Sequence, residues 1–268
     1  MMDLRKCFGF HLTPFTRELR LEEYFPLGFL DEALEALVRT VESRQSAVVL
    51  APAGSGKTVL LRRLAARLPE ARFDVRYVKV TDLSKRDFCR EIAAAIGARP
   101  AGSYPVLVRR LQEHFLDTAD PGGRRPVLLV DEAHDLRPDV LAMLRILTNF
   151  DMDSRLVLAL VLAGQPPLRS LLARDDQEAV ARRIAHYVTL RLLSRDELVR
   201  YLAHRATFAG AKAVPFDDAA LEAIYELSRG NLRVADNLAR KSLEHAALAN
   251  LQAVSTVHVT TARKDLWP

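Results

Sequence analysis

Cysteine is nearly absent from this chain: Cys7 and Cys89 are the only two in 268 residues. Neither has metal-ligand spacing around it. That excludes a disulfide framework and a zinc module, and both read as reduced thiols of a cytosolic protein. Long apolar runs are missing too. The run from Val157 to Gly164 is strand-sized and far short of the ~20 residues that a membrane span needs. The amino terminus, MMDLRKCFGFHLTPF, has no apolar stretch of the kind that marks a signal peptide. A soluble cytoplasmic protein with no membrane partner is therefore expected. No internal repeat or low-complexity tract occurs, and no basic run is interleaved with aromatics. The charge balance is mild, with 39 Lys and Arg against 34 Asp and Glu and a sequence pI near 9.4. Such a balance permits an acidic polymer as partner without demanding one.

What is there is the composition of a globular domain, 49% hydrophobic and 27% charged, which excludes intrinsic disorder. Strand-like runs alternate with amphipathic helical ones, the pattern of a parallel sheet with crossover helices. Strands are expected at Ser46–Leu50, Phe73–Val80, Pro126–Asp131, Leu156–Leu162 and His186–Leu190. Four of these are continuous Val/Leu-rich runs, as in strands covered on both faces. Helices are expected at Leu30–Glu42, Lys57–Leu68, Ser84–Ile96, Tyr104–Leu116 and Pro138–Asn149. After about Leu193 the strand pattern stops. Ser194 with Glu197 forms a capping box, Asp217 can cap a second helix, and Asn231 opens a long third one. A short last helix is expected over Thr256–Leu266. The expected organisation is an aromatic-rich arm over 1–28, an α/β nucleotide-binding core over 29–193 and a helical lid over 194–268. The arm, with Phe8, Phe10, Phe15, Tyr24 and Phe25, is expected to pack on the core or on a neighbour.

The chemistry concentrates in two segments. Ala51-Pro-Ala53-Gly54-Ser55-Gly56-Lys57-Thr58 follows a strand and opens a helix, which is the setting of a phosphate-binding (Walker A) loop. The glycines let backbone N–H groups surround a phosphate at a helix N-terminus. Lys57 would reach the β- and γ-phosphates of ATP, and the Thr58 hydroxyl would ligate Mg²⁺. Ala51 stands where the first glycine of this motif usually falls, the least demanding position sterically. The second segment, Val127-Leu-Leu-Val-Asp131-Glu132, places two carboxylates at the carboxyl end of a strand, where ligands bind in open α/β sheets. Asp131 would hold the Mg²⁺ shell and Glu132 would polarise the attacking water. The letters DEAH at 131–134 suggest a helicase, but a helicase of that type needs two tandem motor domains. His134 is instead expected to sense the nucleotide or to shape the surface.

Three further positions complete the candidate machinery. Gln165, at the tip of the strand ending Leu162-Ala-Gly164, is placed to contact the γ-phosphate or the water as a first sensor; a plain turn residue is the alternative. Arg182-Arg183 precede the last strand, and Arg183 could serve a neighbouring subunit as an arginine finger, unless the pair is merely solvated. Arg233, at the start of the long lid helix, can reach back to the nucleotide as a second sensor.

This order of motifs resembles that of AAA+ ATPases, and several strings narrow it to the ExeA/TnsC/TniB type, related to the transposition regulators MuB and IstB. Phe8-Gly-Phe-His-Leu-Thr-Pro14-Phe15 resembles the group's FGL…PF opening. Leu144-Arg-Ile-Leu-Thr-Asn149-Phe and Val161-Leu-Ala-Gly-Gln165-Pro-Pro-Leu resemble its LRxLxNxE and LxGQPxL block. Arg182-Arg183-Ile stands for QRI with Arg182 replacing Gln. Gly230-Asn-Leu-Arg233-Val-Ala-Asp-Asn237 stands for GxPRxIN with Leu232 replacing Pro. The resemblance runs along nearly the whole chain.

The resemblance implies a P-loop AAA+ core, a parallel five-stranded sheet with flanking helices, followed by a small C-terminal helical lid. It also implies ATP-dependent assembly as a homo-oligomeric ring or helical filament on double-stranded DNA, with nucleotide between subunits. Target selection and recruitment of a transposase, with or without a separate target-selection factor, would follow, and hydrolysis would drive disassembly. The secretion-type members continue into a membrane span and a cell-wall-binding domain. This chain ends at Pro268, which favours the transposition branch. Lys85 and Arg86, in the loop after the second strand, and Arg109 and Arg110, on the next helix, are the candidates to grip the DNA backbone with little sequence preference. Two other readings stay open: a secretion-linked ATPase and a helicase-loader-like AAA+ protein.

Overall fold

The computed structural model describes residues 4–16, 18, 20, 23–119 and 122–266, so part of the expected arm over 1–28 lies outside the described residues. The first elements are α1 (Leu4–Phe8), α2 (Gly28–Glu42), β1 (Ser46–Leu50), α3 (Lys57–Arg67), β2 (Phe73–Lys79), α4 (Lys85–Ala95), α5 (Tyr104–Thr118) and β3 (Arg125–Asp131). Then come α6 (Pro138–Leu147), β4 (Ala159–Gly164), α7 (Pro167–Leu172), α8 (Glu178–Ala181) and β5 (Ile184–Thr189). Four helices close the chain: α9 (Arg195–Phe208), α10 (Asp218–Ser228), α11 (Leu232–Leu248) and α12 (Thr256–Leu266). Two compact units result. Gly28–Pro52 with Gly56–Leu190 form an α/β unit; Ala53–Ser55 and the residues from Arg191 onward join the described residues up to Leu27 in a helical unit.

In the α/β unit five strands form one sheet in the order β2-β3-β4-β1-β5, and each neighbouring pair runs parallel. The sequence pattern dictates this layering. In β1 and β4 every residue is buried, and in β3 all but the first; these Val/Leu-rich strands need helices on both faces. The edge strands β2 and β5 are partly exposed. Phe88, Ile92, Leu107, Leu111 and Phe115 from α4 and α5 fill the core against Val78, Leu128 and Val130. Cys89 is buried there with its thiol 3.3 Å from the Met143 sulfur, and burial pushes that thiol up to about 12. It is a packing residue.

Two strand starts differ from the sequence pattern by more than one residue. The fourth strand begins at Ala159 rather than Leu156. Ahead of it, Phe150 bridges Arg155 in antiparallel fashion, and Asp151 and Met152 both adopt left-handed backbone at φ 49° and 56°. That turn uses up 150–155, and the first residue of β3 to find a partner in β4 pairs with Ala159. The fifth strand begins earlier than His186, because Ile184 pairs with Ser46 across a register shift between Ser46 and Ala47. Helices α1 and α7 were not anticipated.

The helical unit is set by its caps. Ser194 and Glu197 form the expected capping box, Asp217 accepts from the Ala220 N–H, and Asn231 accepts from the Val234 N–H. Each satisfies a donor that the first turn of a helix would leave unpaired. The aromatic arm is built into this unit: Phe15 meets Phe216 edge-on and Phe25 meets Tyr201, while the His11 N–H donates to the Ala209 carbonyl at 2.7 Å. At the centre, the Tyr201 hydroxyl bonds both Asp236 oxygens at 3.0 Å. The Arg205 guanidinium donates to the Tyr201 hydroxyl and to the Thr16 carbonyl and lies 3.5 Å from Asp236.

Burial pushes the Asp236 carboxyl up to about 6, against the opposing pull of Arg205 and Tyr201. As pH rises, the unfolded chain releases this proton before the folded one does. Asp236 therefore contributes stability that is fully present below about pH 4 and is lost as pH rises through its folded value. Thermal midpoints measured from pH 4 to 7 should carry this downward slope, and Asp236→Asn should remove it, whatever the variant's absolute midpoint. The same slope in both proteins would assign it elsewhere.

Candidate active site

The glycine loop over 51–58 joins β1 to α3. Gly54 and Gly56 take left-handed backbone at φ 73° and 97°, a conformation open to glycine at little cost. Gly54 is needed for a second reason. A Cβ there would come within 2.1 Å of the Asn231 side-chain oxygen. Within the helical unit, Asn231 donates to the Ala53 carbonyl at 2.7 Å and the Leu232 N–H donates to the Gly54 carbonyl at 3.0 Å. Asn231 thus caps its own helix and pins the loop tip. Ser55 is buried.

In the α/β unit, Lys57 is buried and spans both carboxylates, 3.1 Å from Asp131 Oδ1 and 2.7 Å from Glu132 Oε2. Asp131 is the more fully bound of the two. Its Oδ1 also accepts from the Glu132 N–H at 2.8 Å. Its Oδ2 accepts from the Thr58 hydroxyl and the Tyr77 hydroxyl, each at 3.1 Å. Thr58 and Asp131 thereby set two hard oxygen donors side by side, the kind Mg²⁺ prefers, and no larger cluster of metal-binding side chains occurs among the described residues. That fits an ion held by one or two protein oxygens and completed by phosphates. The Tyr77 phenol is pushed up to about 12, first by burial and then by the Asp131 charge, so it is neutral and a donor.

Glu132 departs from strand geometry. Its backbone is left-handed at φ 57° and ψ 33°, strained for a residue with a side chain. Successive residues of a strand face opposite ways; this twist lets two consecutive carboxylates share one ammonium. His134 follows, with Nδ1 at 3.4 Å from Glu132 Oε2 and Nε2 at 2.8 Å from the Gln165 amide nitrogen. If Gln165 donates its amide proton, the imidazole proton sits on Nδ1, facing Glu132.

The arrangement is that of a nucleoside triphosphate site, and sequence comparison identifies its family. The family model for the AAA domain matches residues 39–172, half of the chain. The chain belongs to the AAA family. It is an AAA+ ATPase and binds nucleotide. General secretion pathway protein A of Aeromonas hydrophila is 32% identical over 193 residues, 71% of this chain. The chain spans only 35% of that protein's length. Among solved structures, Cdc6p of Pyrobaculum aerophilum superposes with a TM-score of 0.77 at 20% identity, covering 94% of this chain and 70% of its own. The ORC1 protein of Aeropyrum pernix, solved in complex with DNA, gives 0.71 at 18% identity, covering 94% and 68%. At those identities the likeness is one of fold.

Of the residues singled out in the sequence, the α/β unit of this AAA+ ATPase brings Lys57, Thr58, Asp131, Glu132 and Gln165 into one hydrogen-bonded and ion-paired group. Gln165 enters it through His134. Arg183, half-buried between α8 and β5, lines a cleft of about 240 Å³ with Arg44, Arg182 and Leu156. Arg182 is largely exposed and pairs with Glu178 at 2.6 Å. Arg233 is exposed in the first turn of α11, in the helical unit. Lys85 lies 3.7 Å from Asp139, and Arg109 lies 3.5 Å from Glu113. Arg86 and Arg110 bond the successive carbonyls of Gly102 and Ala101. Tyr77 and the His134–Gln165 contact were not read from the sequence. An aromatic polar residue near the end of the strand that neighbours the Asp131 strand was the available signal.

Glu132→Gln keeps shape and removes the carboxylate. Nucleotide affinity is expected to stay within a few-fold, while turnover falls by roughly 10²–10⁴, the usual weight of a general base. Equilibrium binding of a fluorescent nucleotide beside a phosphate-release assay checks both, and near-normal turnover would remove Glu132 from that role. Lys57→Ala should instead lose binding itself.

Proposed function

We propose that this AAA+ ATPase is an ATP-controlled, largely sequence-nonspecific DNA-binding regulator of transposition. In this reading it assembles on duplex DNA and engages a transposase, and hydrolysis releases the assembly. Lys57 and the loop N–H groups would hold the phosphates, Thr58 and Asp131 would hold Mg²⁺, and Glu132 would take the proton of the attacking water. When bound, Mg²⁺ would neutralise negative charge on the phosphates. The phosphates would compete with Glu132 for the Lys57 ammonium, freeing the carboxylate to act. Gln165 and Arg233 are assigned sensing roles, and Arg183 the trans role at a subunit boundary. The domain assignment is the arm at 1–28, the nucleotide-binding core at 29–193 and the lid at 194–268.

The observation that carries the DNA reading is the clustering of basic side chains beyond β2. Arg86 and Arg110 are held side by side by the carbonyls at 101 and 102, and Lys85 is next in sequence. Both guanidiniums are exposed and keep N–H groups to offer phosphate oxygens. A few such cations per subunit suffice when many subunits line up along a duplex. The motif strings resemble those of the ExeA/TnsC/TniB group, which includes transposition regulators, and the likeness in fold to a protein solved on DNA supports the same reading. A second reading, a secretion-linked ATPase, is favoured by the 32% identity to General secretion pathway protein A.

Mobility shift and electron microscopy on random-sequence duplex, with and without a slowly hydrolysed ATP analogue, separate the two. Nucleotide-dependent rings or filaments on DNA, weakened by Arg86→Ala with Arg110→Ala and by salt, are expected. Absence of DNA binding in both nucleotide states would discard the transposition reading in favour of the secretion one. The trans role of Arg183 has its own check. Arg183→Ala should lower turnover only at concentrations or on DNA where subunits meet. An equal loss in dilute monomer would refute it.

A further inference from the structure

Tyr77 sits on β2, the edge strand of the sheet, and is 46% exposed. A tyrosine so placed ordinarily keeps its hydroxyl in water, since the phenol is the polar tip of an apolar body. Here the hydroxyl turns inward and donates to Asp131 Oδ2. The register explains how. Tyr77 pairs with Leu129 and Lys79 with Asp131, so Tyr77 and Asp131 project from the same face two residues apart along neighbouring strands, a diagonal that an aromatic side chain can span. We propose that Tyr77 is a positioning residue for ATP hydrolysis, fixing the Asp131 carboxylate in the orientation that receives Mg²⁺.

The hydrogen-bond inventory of Asp131 gives the reason. Oδ2 has two donors, the hydroxyls of Thr58 and Tyr77. The inference rests on the assignment of Thr58 and Asp131 as the Mg²⁺ ligands. A hydroxyl that ligates an ion through a lone pair keeps its proton, so Thr58 and Tyr77 together fix Oδ2, and Tyr77 is the one of the two donors that has no place among the ion's ligands. Oδ1 stays tied to the Glu132 N–H and Lys57. A neutral phenol holds the carboxylate without adding charge that would repel the cation. Partners of this outer kind typically change metal affinity 10–100-fold when removed.

The test is Tyr77→Phe, which keeps the ring on its partly exposed edge and deletes only the hydroxyl. Affinity for a fluorescent ADP analogue is measured by anisotropy in EDTA and across a Mg²⁺ titration, for wild type, Tyr77→Phe and Asp131→Asn, with thermal midpoints for all three. Expected is a Mg²⁺ midpoint raised about 10-fold in Tyr77→Phe, with affinity in EDTA and the thermal midpoint kept at wild-type values. An unchanged Mg²⁺ midpoint, or an equal loss of affinity with and without Mg²⁺, overturns the role of Tyr77. Should Asp131→Asn also leave the Mg²⁺ dependence untouched, the assignment of Asp131 falls, and the proposal with it. An Asp131 effect without a Tyr77 effect overturns the proposal alone.

Discussion

One buried ammonium shared by two consecutive carboxylates is the constraint on which the α/β unit turns. Lys57 and Asp131 are nearly inaccessible to water. Charges so placed persist only when paired and hydrogen-bonded, because each carries a desolvation cost of several kcal/mol. Bringing Glu132 to the same cation requires a strained left-handed backbone at the end of β3. Strain of this sort costs on the order of 1–3 kcal/mol and survives only where the surroundings enforce it. The enforcing contacts are the Lys57 ion pairs and the bond from the Glu132 N–H to Asp131. The sheet delivers the cation and the carboxylates from different strands, and the site locks the result.

Strand order makes this possible. The glycine loop leaves β1 and the carboxylates leave β3, and β4 lies between those strands. All three are parallel, so their carboxyl ends open on one edge, the place where ligands gather in such sheets. The tip of β4 is consequently caught between the two halves of the site. Gly164 is tight against its neighbours there: a Cβ would lie 3.0 Å from the His134 backbone nitrogen. Gln165, one residue further, meets the His134 ring. The link from the β4 tip to Glu132 through His134 is thus a consequence of topology.

Much of this was legible in the residues. Strand β3 and the loop before α3 announce themselves by composition, since a Val/Leu run ending in two carboxylates and a glycine loop ending in Lys-Thr have few other uses. The caps at Ser194, Asp217 and Asn231 were legible for the same reason, each being a short polar side chain placed where a helix must begin. What escaped depends on register and on left-handed backbone. Tyr77 reaches Asp131 only because Lys79 and not Tyr77 is paired with that residue, and nothing in the sequence of β2 announces the register. The second part of Asn231's role escaped likewise: as a helix cap it was visible, but its bond to the Ala53 carbonyl joins positions far apart in the chain. The start of β4 was misplaced because Leu156 has the composition of a strand while the turn at 151–153 denies it a partner.

The two carboxylates also differ in a way that bears on their division of labour. Asp131 is held by three hydrogen-bond donors, the Thr58 and Tyr77 hydroxyls and the Glu132 backbone, and by the ion pair with Lys57. Glu132 has the Lys57 ammonium and, at 3.4 Å, the His134 ring, and its side chain is 26% exposed. A carboxylate fixed from four sides is suited to receive a cation at a set position and poorly suited to move. One tied chiefly by a single ion pair can be released by whatever draws that ammonium away, and water can approach it. Two adjacent acids thereby acquire different capacities from their surroundings alone, as pairs of carboxylates do in other active sites. The sheet and the loop need only decide which of the two is caged, and at the end of β3 the caged one is Asp131.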